Sequence, residues 1–212
     1  MAATAAREAG AYDLWACALT RHAFIEVYER HFDRAAPMLH LASELARRGD
    51  SQLSTRHWVA VVQAEAWAGL GELTACERTL DAAEEVHGLP GPVHNGGWLR
   101  FDGSRMAEER GTCYVELGRL DLAETALNQA LNQPLSARRR GSVLIDLAAL
   151  GVRRQDVDQL VSYTNAALVT ARQTGSGVLQ RKLTVLADRF GPVLRDRRAR
   201  QVRDEISSLA HP

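Results

Sequence analysis

Lysine is almost absent from this chain: Lys182 stands alone, and every other basic residue is arginine, a bias that reports GC-rich coding more than function. Cysteine is scarce too. Cys17, Cys76 and Cys113 are odd in number, widely spaced and set in helical patterns, which excludes a disulfide framework and a paired Cys-x-x-Cys zinc site and suits buried thiols in a reducing compartment. No apolar run approaches the roughly 18 residues of a membrane span, and the opening Met-Ala-Ala-Thr-Ala-Ala-Arg-Glu lacks the apolar stretch of a secretory leader. The expected location is cytoplasmic, with no membrane partner. Net charge is missing as well: 26 Lys and Arg balance 26 Asp and Glu, so the chain as a whole offers no strong attraction to nucleic acid or to an anionic surface. Alternating strand patterns are almost nowhere to be found.

What is present is a 46% hydrophobic chain of 212 residues, enough to bury a continuous core, organised by a phrase that occurs twice. Ala64-Glu-Ala-Trp67-Ala-Gly-Leu70-Gly71 and Gly111-Thr-Cys-Tyr114-Val-Glu-Leu117-Gly118 lie 47 residues apart, each followed by Leu80 or Leu127 nine positions after the final Gly and by Ala83 or Ala130 three later. Small residues, an aromatic and Leu-Gly at helical spacing suit two packed antiparallel helices, because small side chains let backbones approach while the aromatic fills the space between pairs. Fainter copies share the spacing. Phe32-Asp-Arg-Ala35 with Leu39 and Ala42 puts Arg30 at the Gly position, and Val157-Asp-Gln-Leu160 with Ala167-Leu168 puts Gln155 there.

Apolar periodicity predicts helices from about Tyr12 to Tyr28 and Phe32 to Leu45, then over about 52–69, 72–87, 98–117 and 120–132. Asn132-Gln-Pro134 ends one helix, Ser136 or a residue nearby opens the next to about Leu150, and Asp156 can cap another to about Thr174. Two more are expected over about 178–190 and 192–209. Arg47-Arg48-Gly49-Asp50 reads as a helix end with Gly49 in the left-handed region. The expected fold is all-α: about ten helices in five antiparallel pairs, stacked as a right-handed superhelical solenoid over residues 1–212. Residues 12–175 would hold four repeats, with 176–212 a capping helix pair.

These features resemble the tetratricopeptide repeat, with helices and one loop lengthened. The Arg- and Ala-rich repeats ending in Ala171-Arg-Gln-Thr-Gly175-Ser, together with His94-Asn-Gly-Gly-Trp98-Leu-Arg-Phe101-Asp-Gly-Ser-Arg105, are similar to the C-terminal region of actinobacterial Xre-type helix-turn-helix transcriptional regulators. The resemblance implies a sensor or dimerisation region normally joined to an N-terminal DNA-binding domain. No helix-turn-helix of that family is matched by residues of this sequence, so DNA binding is carried over to none of them.

Two places are candidate binding sites. The loop Gly88-Leu-Pro90-Gly-Pro92-Val-His94-Asn95-Gly96-Gly97 is longer than a helix connection needs, and sets Trp98 and Phe101 at the expected opening turn of the next helix, with Arg100 and Arg105 near amides that would receive an anion. The other is the concave face. The repeat register turns Phe24, Val27 and Tyr28 inward in the first unit, Trp58, Val61 and Glu65 in the second, Arg105, Glu108, Thr112 and Glu116 in the third, and Ser142, Ile145 and Arg153 in the fourth. Aromatics beside mixed charge suit a peptide or an amphiphilic small molecule. The simpler reading makes the aromatics core anchors and the charges solvated surface.

Catalysis finds little support. His22, His31 and His40 are nine apart, not at the i, i+4 spacing of a helical metal pair, and no H-E-x-x-H, G-x-S-x-G or phosphate-binding Gly-Lys-Ser/Thr loop occurs. Glu108 and Glu109 point about 100° apart on a helix, so at least one is expected on a solvated face. The Arg138–Arg140 run and the arginines of 195–203 read as a polar surface that keeps a stack soluble. The expectation is therefore a non-enzymatic module without cofactor or metal, binding a peptide, a small molecule or a partner protein in its groove. A constitutive scaffold or homodimer is the alternative, and direct nucleic-acid binding is not expected.

Overall fold

The four turn centres that the repeat spacing picks out all adopt left-handed backbone: Arg30 at φ 64°, Gly71 at 80°, Gly118 at 71° and Gln155 at 57°. Arg30 and Gln155 are the only non-glycine residues with positive φ among the residues described by the computed structural model, namely 2–90, 93 and 101–209. Three of the four, at Arg30, Gly71 and Gln155, end a helix in the same way. The amide of the residue after the turn centre reaches back to the carbonyl five positions earlier, His31 to Glu26 at 2.8 Å, Glu72 to Trp67 at 2.9 Å and Asp156 to Gly151 at 2.8 Å. These bonds satisfy carbonyls that the helix end leaves open, in the geometry for which glycine is favoured. Gly10 makes a fourth such turn, with Ala11 bonded to Ala6 at 2.9 Å.

Behind each centre the burial repeats as well. Five residues on stand Ala35, Cys76, Ala123 and Leu160; nine on, Leu39, Leu80, Leu127 and Thr164; twelve on, Ala42, Ala83, Ala130 and Ala167, all fully buried. Two positions depart from the pattern in chemistry while keeping its geometry. Gln155 holds a left-handed backbone that costs an L-residue about 1 kcal/mol, and Thr164 buries a hydroxyl with no hydrogen-bond partner where the other three copies carry Leu. Gln155→Gly and Thr164→Val are each expected to raise stability by about 1 kcal/mol, read as a higher urea midpoint at unchanged slope.

Eleven α-helices are described: α1 (Ala2–Glu8), α2 (Tyr12–Tyr28), α3 (Phe32–Arg48), α4 (Thr55–Gly69), α5 (Leu73–Glu84), α6 (Met106–Glu116), α7 (Leu120–Leu131), α8 (Ala137–Arg154), α9 (Val157–Thr174), α10 (Gly177–Ala187) and α11 (Arg197–Leu209). The all-α class is as expected, and among the described residues none is long and apolar enough to cross a membrane. Ser136 and Asp156 cap as the sequence predicts, accepting hydrogen bonds from the amides of Arg139 at 3.4 Å and Gln159 at 2.9 Å. Three local expectations are corrected. The helix expected from 98 begins at Met106, because Gly103 (φ 78°) and the Asp102 side chain, which accepts from the Ser104 amide at 3.0 Å, hold a turn ahead of it. The last helix starts at Arg197, after a 3-10 turn at Gly191–Val193 that Pro192 opens. Gly49 lies at φ −81°, so it is no left-handed cap; a Cβ there would collide with the Asp13 carboxylate, which accepts from the Asp50 amide at 2.8 Å.

The chain divides into two compact units, Met1–Leu117 and Gly118–Pro212. In the first, α2 and α6 both adjoin α4, while α3 packs on α2 and α4, and α5 on α4 and α6. The first helices of successive pairs thus share one layer. Gly69 lets the Phe32 ring of α3 lie against α4, since that ring occupies the space a Cβ would need. In the second unit α8 is the central helix, buried almost throughout Val143–Val152 and packed by α7, α9 and α10, with α11 against α9 and α10.

Candidate functional site

The groove residues expected on Met1–Leu117 fall on three adjoining helices, and the structure sorts them into exposed, half-buried and core. On α2, Phe24 and Tyr28 are exposed, one helical turn apart, with ring centroids 6.4 Å apart and planes 18° from parallel. Their neighbour Ile25 is 58% exposed. Val27 and Val61, expected to line the groove, are instead core residues: Val27 packs with Leu39 and Val62, and Val61 with Leu80 and Met106. Trp58 is half-buried between those two clusters, which makes it a wall of the core as much as a contact surface.

Charge collects where α4 meets α6. Arg105 is the N-cap of α6, half-exposed, with its guanidinium 3.0 Å from Glu109 and 4.0 Å from Glu108. Glu109 above all, with Glu108 and Glu65, holds the Arg105 pKa above the usual guanidinium value despite the opposing effect of burial. The expectation that one of the adjacent glutamates is solvated is overturned: the Glu108 and Glu109 side chains are only 7% and 12% exposed, because Arg105 offers charge to both at i+3 and i+4. Arg105 is thereby committed to its own helix rather than poised for an incoming anion. Thr112 and Glu116, both half-buried, continue the same side of α6. Glu116 ends it in an ion pair with Arg30, 2.5 Å away, whose guanidinium also lies 5.1 Å over the Phe32 ring.

Phe101 does not stand at a helix start. It is buried to 7% and packs with Val61, Leu80, Val86 and Met106, tying the segment before α6 into the core, while Gly103 lies against Val86 and the His87 ring where no Cβ would fit. The other loop candidates, His94, Asn95, Trp98 and Arg100, lie outside the described residues. The fourth-unit candidates belong to Gly118–Pro212. There Ile145 is core, Arg153 lies near Gly118, and Ser142 accepts a hydrogen bond from Lys182 at 2.8 Å.

Sequence reasoning missed three constellations. Lys182, the lone lysine, also donates to the buried Asp146 at 2.6 Å, joining α10 to α8. A Ser–Lys pair of this kind resembles a nucleophile with its base, but an ammonium held against a carboxylate donates and has no lone pair with which to take the Ser142 proton. Cys76 and Cys113, from consecutive repeats, meet in the core with their thiols hydrogen-bonded. That bond and burial push the Cys113 thiol well up, away from reactivity. His57 is a satisfied core histidine: Nδ1 donates to the Ala82 carbonyl at 3.0 Å and Nε2 accepts from Arg56 at 3.1 Å. Burial lowers its pKa, keeping the ring neutral. None of the three had a sequence signal, whereas the Arg30–Glu116 clamp did: a long side chain at a glycine position.

Among the described residues no three His, Cys, Asp or Glu side chains gather as a metal-holding group. No family model, curated protein or solved structure matches the chain.

Proposed function

We propose that this chain is a ligand-sensing or protein-interaction module of tetratricopeptide type, the cytoplasmic sensory part of a transcriptional regulator, and that it binds rather than catalyses. The reading rests on one observation: a stacked, exposed Phe24–Tyr28 pair with Ile25 on α2, in the same layer as the Trp58, Glu65 and Arg105–Glu109 surfaces of α4 and α6. Exposed aromatics supply affinity at low entropic cost, and the flanking charges fix the direction of a peptide or amphiphilic small molecule. In a right-handed superhelical stack, small rotations between pairs add, so an occupant that prefers one curvature by about 1–3 kcal/mol would reposition whatever domain is attached. The regulator assignment is supported by the sequence resemblance alone.

A constitutive scaffold is the second reading, favoured by the further apolar exposure of α2, where Leu14 is exposed as well as Ile25. Native mass spectrometry of the chain purified from its own host separates the two. A retained small mass or peptide that disappears in the Phe24→Ala/Tyr28→Ala double variant is the expected result, and folding should survive because both rings are exposed. A bare dimer whose population does not change with concentration would replace the sensor with the scaffold.

A further inference from the structure

The neutral total conceals two oppositely charged halves. Residues 1–117 carry 11 Arg against 17 Asp and Glu, a formal −6, and residues 118–212 carry 14 Arg and Lys182 against 9 Asp and Glu, a formal +6. These totals hold however carboxylates are shared within each unit. A unit of this size has a radius of gyration of about 12 Å, larger than the Debye length of about 8 Å at physiological salt. Charges on opposite sides of even one unit are therefore largely screened from each other, and the neutrality of the whole chain says little about what each surface attracts.

Within Gly118–Pro212 the positive charge has a place. Asp121 and Glu124 are both engaged by Arg154, Asp158 and Asp196 by Arg198, and Asp146 by Lys182. The bare α-carbon of Gly141 lets the start of α8 lie against Leu179 of α10 and Thr170 of α9. That brings Arg138 to Arg140, Arg172 and Arg181 to one end of the unit, where Arg172 pairs with Glu205 at 3.5 Å. Arg138, Arg140 and Arg181 are exposed. Cations in the first turn of a helix oppose its dipole, so the triplet on α8 does not serve helix stability.

We propose that this arginine-rich end docks on the phosphate backbone of a nucleic-acid duplex. Guanidinium groups present a planar fork that matches phosphate oxygens two at a time. The aromatics of this unit are Tyr163, half-buried, and Phe190, fully buried, so it has no platform for stacking unpaired bases. The contact is thus to the backbone of a paired duplex and independent of base sequence.

The test is fluorescence anisotropy of the full chain with a labelled duplex of about 20 base pairs and arbitrary sequence, titrated between about 50 and 200 mM salt. Binding is expected, with log K falling linearly in log salt. Arg138→Gln/Arg140→Gln should reduce that slope by about 2 and weaken binding by roughly tenfold or more at low salt. Arg34→Gln/Arg78→Gln removes the same charge from exposed positions of the other unit and should change neither quantity. Circular dichroism melting should be the same for all three proteins. No binding at the lowest salt, or equal losses in the two double variants, would overturn the proposal. Displacement of the duplex by polyglutamate at equal charge concentration would overturn it in favour of an acidic protein partner.

Discussion

Phe101→Ala is expected to cost about 3 kcal/mol of folding free energy, within the range for a buried phenylalanine that leaves a cavity. The ring is 7% exposed among Val61, Leu80, Val86 and Met106, side chains drawn from α4, α5, the turn after α5 and α6. Their positions are fixed by helices, so the hole cannot close by moving one loop. Phe24→Ala, at a ring 43% exposed, is expected to change stability by about 0.5 kcal/mol or less. Urea denaturation of the two variants side by side tests the pair. Similar small losses would mean that Phe101 is a loop residue available to a ligand, as the sequence had allowed; a large loss at Phe101 alone keeps it in the core and leaves the Phe24–Tyr28 pair as the aromatic contact surface.

The repeat register was legible because it is written in the chemistry of turns. A left-handed residue every 37 to 47 positions leaves a glycine in two copies, and the fully buried Leu and Ala that follow leave spacing even where the glycine is lost, at Arg30 and Gln155. Caps at Ser136 and Asp156 were legible for the same reason, a short side chain serving its own backbone. Facing directions were less so. Val27 and Val61 were assigned to the groove, yet each turns into the core, since a small error in helical phase exchanges one side of a helix for another. Helix starts that depend on a distant contact were not legible at all: α6 begins at Met106 because the segment before it is anchored by Phe101 and by Gly103 on His87.

Electrostatics was the least legible layer. The burial of both Glu108 and Glu109 depends on Arg105 reaching each from the helix start, and the Arg30–Glu116 pair joins residues 86 apart in sequence. Whole-chain charge balance gave zero, and only the division after Leu117 separates −6 from +6. The groove proposal draws on the acidic unit and the duplex proposal on the basic one, so the two can fail independently. A ligand lost in Phe24→Ala/Tyr28→Ala with duplex binding intact would leave both standing. Loss of both activities in either variant would point to a folding defect.

Gly151→Ala is expected to lose about 2 kcal/mol, although alanine favours a helix over glycine by about 1 kcal/mol where nothing obstructs it. The obstruction here is backbone. A Cβ on Gly151 would stand 2.6 Å from the Leu160 amide nitrogen, 2.9 Å from the Asp156 carbonyl oxygen and 3.0 Å from the Leu160 α-carbon, so the first turn of α9 would have to move. That turn is held from both sides. Asp156 donates its amide to the Gly151 carbonyl at 2.8 Å and caps Gln159 with its side chain, and Leu160 is fully buried. Overpacking of this kind costs roughly 1–3 kcal/mol, enough to outweigh the helix propensity. Gly177→Ala, where a Cβ meets nothing within 4 Å, is the control and should be neutral or slightly stabilising. The same position in the repeat phrase, four before the turn centre, is Trp67 and Tyr114 in the two clearest copies, yet it is glycine here because α8 and α9 pass too closely for any side chain. Thermal melts that show Gly151→Ala no less stable than Gly177→Ala would mean that this hairpin is looser than its backbone contacts imply, and that the aromatic of the other copies would be tolerated in it.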